Sequence, residues 1–265
     1  MRRGRGNVWG VWILVCVMAV MAGRPLTVFG ATKTVSSITI RVGTDTKAGE
    51  MLNENIAVYA NTTAVQSGTY AATSSERYSL QNAEWSSSTK KAMTVGEEPR
   101  MKLYLEIEDT DYAFRGSYSS SNIIVKGGTF MSARKSSSGK LEVTVRLNGI
   151  KGSYKPPVDA RWRETGFGRA EWTEEKSEGV SSGYYDVYLY RGNAVVKKLE
   201  DYQGTSYNFY PYMTQKGTYK YKARTVPYTE VQKKYGQKSE WLDSDEVYID
   251  EEHVSDGTGQ VDGIG

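Results

Sequence analysis

Four carboxylates crowd into the six positions from 106 to 111, at Glu106, Glu108, Asp109 and Asp111. Paired acids are all that glycoside hydrolysis requires, one to protonate the leaving oxygen and one to act as base or nucleophile. Glu106 and Glu108 are two apart in an alternating stretch, so both belong on the wet face of one strand, where solvation accounts for them without a catalyst. A carboxyl with a catalytic pKa needs a cleft to shift it. Other constellations fail on residue type or setting. His253 is the single histidine and lies among Asp250, Glu251 and Glu252, the setting of a solvated residue and not of a triad base or a multi-histidine metal site. Cys16, the single cysteine, sits in an N-terminal apolar run, so a chain cleaved beyond it has neither thiol nucleophile nor disulfide. The acids Asp243, Asp245, Glu246, Asp250, Glu251, Glu252 and Asp256 lack the regular spacing of a calcium loop. The reading is therefore non-catalytic, with no cofactor and no metal.

Aromatic side chains are the better ligand candidates. Tyr188, Tyr190, Tyr210 and Tyr212 alternate with apolar positions and are expected to face outward, where exposed rings can stack on sugar or wall polymer. Trp85 and Tyr104 are comparable earlier in the chain. The competing account is that outward tyrosines favour strands and cover sheet edges. Asn61-Thr62-Thr63 is a glycosylation sequon only in a eukaryotic host.

Positioning these residues falls to the chain beyond the N-terminal run. Arg2, Arg3 and Arg5 precede the 16 apolar-rich residues 8–23, then Arg24-Pro25 and small residues near Gly30: the order of a signal peptide over residues 1–30, cleaved after Gly30 or Ala31, with Ala22 as the alternative. The run is short of the roughly 20 residues of a spanning helix, so a retained anchor is the weaker reading and no stable membrane span is expected after cleavage. With Arg24 these arginines account for four of 34 basic residues. Their removal leaves 30 against 31 acids, which offers no charge argument for nucleic acid.

Beyond Ser37 the pattern has period two. Ile38, Ile40 and Val42 alternate with polar residues, as do Met101, Leu103 and Leu105, and Leu141, Val143, Val145 and Leu147. Shorter candidates lie at 56–59, 78–80 and 123–125, with turn chemistry at 117–122, 127–128 and 136–139. Twenty Tyr and six Trp supply apolar area in a chain of mean hydropathy −0.56. The fold expected is all-β, two consecutive β-sandwich domains over 31–153 and 154–250, divided at Pro156-Pro157, with an acidic tail over 251–265.

The second domain resembles the fibronectin type III family, and so an immunoglobulin-like sandwich, across residues 156–250. Ala170-Glu171-Trp172-Thr173 is similar to that family's second strand with its core Trp, residues 185–189 to its third, and 217–224 to its sixth with the corner tyrosine. Ser239-Glu240-Trp241 is similar to the start of the last strand. The resemblance implies a structural role for Trp172 and for Tyr219, whose hydroxyl should bond back to the backbone. The connection 225–236 is longer than the family's. The whole order of segments also resembles the front part of secreted cell-wall-binding proteins of Gram-positive anaerobes, without their aromatic repeats and without a sorting signal of the LPxTG type. The leading expectation is a secreted or wall-associated interaction module for glycan or wall polymer. A polysaccharide-active enzyme or its accessory, resting on Glu106 and Glu108, and a purely structural spacer are the rivals.

Overall fold

The computed structural model describes residues 32–258. The signal peptide read over 1–30 lies outside them, as does the tail from 259. Among the described residues the chain is mostly strand, and no helix is long and apolar enough to cross a membrane.

Ten strands make the first half: β1 (Lys33–Val35), β2 (Ile38–Gly43), β3 (Ala57–Tyr59), β4 (Tyr70–Thr73), β5 (Tyr78–Trp85), β6 (Arg100–Ile107), β7 (Tyr112–Phe114), β8 (Ile123–Lys126), β9 (Gly128–Ser137) and β10 (Lys140–Leu147). One sheet has the order β3-β4-β2-β8 and another β5-β6-β10-β9, while β1 and β7 form a short parallel pair. Strict alternation sends Ile38, Ile40 and Val42 of β2, Met101, Leu103 and Leu105 of β6, and Leu141, Val143 and Val145 of β10 to one side. There they share a single buried cluster with Phe114 and Ile123. Burying each such side chain contributes about 1.5–3 kcal/mol before chain entropy is counted against it. Between β8 and β9 the chain turns at Gly127 with φ +91, and a Cβ there would lie 1.9 Å from the Val42 carbonyl oxygen.

The second half contains β11 (Gly152–Ser153), β12 (Asp159–Trp162), β13 (Arg169–Thr173), β14 (Tyr184–Arg191), β15 (Ala194–Gln203), β16 (Ser206–Asn208), β17 (Gly217–Thr225), helix α1 (Glu230–Tyr235), β18 (Gly236–Gln237), β19 (Leu242–Asp243) and β20 (Val247–Ile249). A three-stranded sheet, β12-β13-β16, and a five-stranded one, β15-β14-β17 with β19 and β20 both on β17, contribute to one core. That core is aromatic: Trp172, Tyr185, Phe209, Tyr219 and Tyr221 are buried with Val187, Leu189 and Ile249. Tyrosine brings area and a hydroxyl that needs a partner. Tyr219 donates to the Gln215 carbonyl oxygen at 2.7 Å. Tyr221 reaches the opposite sheet, donating to the carbonyl oxygens of Arg161, at 3.0 Å, and Glu171.

The halves are joined through backbone. A third cluster, Leu52, Met93 and Ile150, lies at this junction. Glycines there take their neighbours so close that a Cβ would sit 2.7 Å from Val180 at Gly49, 2.4 Å from Val231 at Gly96, 2.6 Å from the Tyr235 ring at Gly149, and 2.3 Å from the Met93 carbonyl oxygen at Gly179. β11 pairs in parallel with β18, and the Tyr154 amide donates to the Gln237 carbonyl at 3.0 Å. The described residues 33–258 cluster as one compact unit. The long connection 225–236 is thereby explained: α1, opened by a capping box in which Thr229 and Gln232 each accept the other's backbone amide, carries Val231 and Tyr235 onto Gly96 and Gly149.

The acidic stretch after Ile249 does not leave the body at once. The Ser255 amide donates to the Met213 carbonyl at 3.0 Å, Ser255 is buried, and Val254 packs against the second core.

Tyr154 is buried with no hydrogen-bond partner for its hydroxyl among the described residues, and burial pushes its phenol from the ordinary 10.0 up to about 12. The native state therefore holds this proton more tightly than the unfolded chain does. The associated stability is full below pH 10 and is lost as pH rises toward about 12. Tyr154→Phe should leave the urea midpoint at pH 7 unchanged or raised, and make the decline in midpoint between about pH 10 and 12 shallower. A decline as steep as that of the parent chain would count against this account.

Candidate functional site

Alternation that sends Tyr185, Val187 and Leu189 of β14 into the core leaves Tyr184, Asp186, Tyr188 and Tyr190 on the other face. β17 does the same, burying Tyr219, Tyr221 and Ala223 and turning Lys220, Lys222 and Arg224 outward. Pairing sets these rows side by side: Asp186 opposite Arg224, Tyr188 opposite Lys222 and Tyr190 opposite Lys220. On the far side of β14, Tyr188 faces Lys198 of β15. The rings of β14 thus lie between a row of three cations on β17, Lys220, Lys222 and Arg224, and Lys198 with Glu200 on β15.

The rings are held by these neighbours. Lys198 Nζ is 4.9 Å from the centre of the Tyr188 ring, Lys222 Nζ 5.8 Å from that of Tyr190, and the Arg224 guanidinium 4.2 Å from that of Trp241. Trp241 and Tyr188 meet at 4.9 Å between centroids, and Tyr184 stacks on Tyr228 at 3.8 Å with planes 2° apart. Exposed cation–ring contacts contribute about 0.5–1 kcal/mol each, so their main effect here is to fix orientation.

Beneath them Asp186 is 1% exposed. It accepts from Arg224 Nε at 3.0 Å and Nη2 at 2.7 Å, and from Lys238 Nζ at 2.9 Å. All three donors converge on Asp186 Oδ2, and the two from Arg224 set its guanidinium plane against Trp241. The Tyr188 hydroxyl donates to Glu200 at 2.7 Å, and burial, then that carboxylate, push its phenol up to about 12, so it remains a donor at neutral pH. Lys220 and Lys222 share Asp243 at 3.4 and 3.1 Å.

Of the four tyrosines expected on an outward face, Tyr188 and Tyr190 lie here, both half-buried. Tyr210 does not face outward. Strand β16 ends at Asn208 and a 3-10 turn over Tyr210–Tyr212 comes next, which breaks the alternation and buries Tyr210 in the core at 6% exposure. Tyr212 stands elsewhere, its hydroxyl 3.4 Å from that of Tyr207 and its ring 4.6 Å from Lys197 Nζ. Those two neighbours lower its pKa, while burial raises that of Tyr207 to about 12. Sequence pattern does not single out Tyr184, Tyr228 or Trp241 as site residues. Tyr184 shares the phase of Tyr188 and is legible on that ground, whereas Tyr228 reaches the face from a loop, which no periodicity marks.

The acids that suggested hydrolysis are engaged along the strand surface. Glu106 pairs with Lys140 at 2.8 Å, and Glu108 accepts from the Ser79 hydroxyl and from Gln81 Nε2 at 3.2 Å. His253 Nδ1 lies 2.6 Å from Asp250 and its ring 4.8 Å from that of Phe167. Among the described residues no three of His, Cys, Asp and Glu gather where they could hold a metal ion. Comparison of the chain with protein-family models and with curated proteins finds no match.

Proposed function

We propose that this chain is an exported, non-catalytic interaction module that holds glycan or cell-wall polymer against the outward face of the five-stranded sheet. In this reading the two halves are β-sandwiches, the second immunoglobulin-like with a fibronectin type III-like order of strands. The order β12-β13-β16 set against β15-β14-β17-β19 supports the second part, as does the bond from Tyr219 back to Gln215. The leader sequence over residues 1–30 supports export.

The single observation that carries the binding proposal is the group Tyr184, Tyr188, Tyr190 and Trp241, ordered by Tyr228 against Tyr184 and by one cation against each of the other three rings. Ring faces suit the C–H surfaces of sugars, and rings already ordered lose little freedom on binding. Trp241→Ala is expected to weaken binding of the chain to purified cell walls about tenfold, or about 1.4 kcal/mol. A thermal midpoint lower by only a few degrees would show that the fold survives. Equal retention of parent and variant on the walls, or no retention of the parent, would end the proposal. The second outcome would favour a rigid spacer, a role that the close-packed glycine junction also suits.

A further inference from the structure

Two clefts of about 460 and 580 Å³ open beside the junction, and Lys47 and Lys151 line both. The larger is also lined by Lys234, Tyr235, Ser153 and Gln237. Both volumes fall in the range of small-ligand sites. The three lysines come from separate parts of the chain, ahead of β11 for Lys47 and Lys151 and at the end of α1 for Lys234. None of them forms an ion pair with a described residue, whereas the outward lysines Lys220 and Lys222 share Asp243. No carboxylate lines the larger cleft among the described residues, and Asp45 is the one acid lining the smaller. Charges of one sign gathered around a cleft focus its field and concentrate counter-ions there.

Neutral groups complete the lining. The Tyr235 ring rests against Gly149 and carries Lys234 Nζ at 5.0 Å from its centre. Ser153 donates its hydroxyl to the Gln237 side-chain oxygen at 3.2 Å, which leaves the amide NH₂ of Gln237 and the acceptor lone pairs of Ser153 for another partner. We propose that these adjoining clefts bind an anionic oligosaccharide or polyol chain. Its phosphate or carboxylate groups meet Lys47, Lys151 and Lys234, and its hydroxyls meet Gln237 and Ser153. This site stands apart from the aromatic face and does not rest on what that face binds.

The test is titration of the intact chain, at low salt, with three oligomers: tetragalacturonate, a glycerol-phosphate tetramer and neutral maltotetraose. At least one anionic oligomer is expected to bind tenfold or more tightly than maltotetraose, and to weaken as salt rises. The tighter of the two identifies carboxylate or phosphodiester as the natural group. The combined Lys47→Gln, Lys151→Gln and Lys234→Gln variant should lose that binding at least tenfold, since exposed lysines can be neutralised without disturbing the fold. A control with Lys90, Lys126 and Lys176 changed to Gln carries the same change in net charge and should stay within twofold of the parent, as should Trp241→Ala. Equal binding of the neutral oligomer, an unaffected cleft variant, or equal loss in the charge-matched control would each overturn the site. Because Trp241→Ala reports on the aromatic face alone, failure of one site is distinguishable from failure of the other.

Discussion

Gly127→Ala is expected to destabilise the chain by about 3 kcal/mol or more, while Gly68→Ala costs about 1 kcal/mol. Both glycines have left-handed backbones, with φ +91 and +76, so an added Cβ meets similar intrinsic strain at each. They differ in what surrounds that Cβ. At Gly68 nothing lies within 4 Å, whereas at Gly127 the Val42 carbonyl oxygen would be 1.9 Å away and its carbon 3.1 Å. Val42 is buried in β2, which is bonded to β4 on one side and β8 on the other, so its backbone has nowhere to retreat. Urea unfolding of the two variants separates strain from collision. Equal losses would mean that the close approach contributes nothing.

Tyr221 is the second sensitive point, through its ring and its hydroxyl together. The side chain is wholly buried, with ring centres at 4.9 Å to Trp162, 6.2 Å to Trp172 and 6.1 Å to Phe209. Tyr221→Ala opens a cavity among those rings and should cost about 4 kcal/mol. Tyr221→Phe keeps the ring but strips the donor from the carbonyls of Arg161 and Glu171 in the facing sheet, and should cost about 1–2 kcal/mol. Burial holds the phenol well above its usual proton affinity, so it stays a donor through the neutral range. A Phe variant as stable as the parent would dispose of the sheet-to-sheet bond; one as damaged as the Ala variant would assign the whole effect to the hydroxyl.

Period-two alternation is readable wherever one face of a strand is buried and the other wet. Ile38 to Val42, Met101 to Leu105, Leu141 to Leu147 and Tyr185 to Leu189 are strands in the structure for that reason. The ten-residue strands β9 and β15 escape it because each lies at the edge of its sheet with no residue fully buried: Phe130 and Ala133, and Leu199 and Tyr202, cover their cores only in part, while Met131, Val195 and Val196 stay exposed. Strand β4, buried along its whole length, fails in the opposite way, since Tyr70-Ala71-Ala72-Thr73 has no polar phase. Helix α1 is too short for a helical repeat, and its one local signal is the Thr229–Gln232 capping pair. At the site, the rings borne by β14 can be placed by phase. Trp241 and Tyr228 cannot, because tertiary packing brings them in from outside that strand.

The glycine junction bears on whether the second half could be shuffled as a cassette. A piece beginning at Pro156 would keep both facing sheets, yet β18 would lose its parallel neighbour. Val231, Tyr235 and Val180 would lose the glycines they rest upon, which come from three separate loops of the first half. No cut near Pro156 supplies any of these loops, so exchange of the second half alone would forfeit these contacts, whereas exchange of both halves together keeps them.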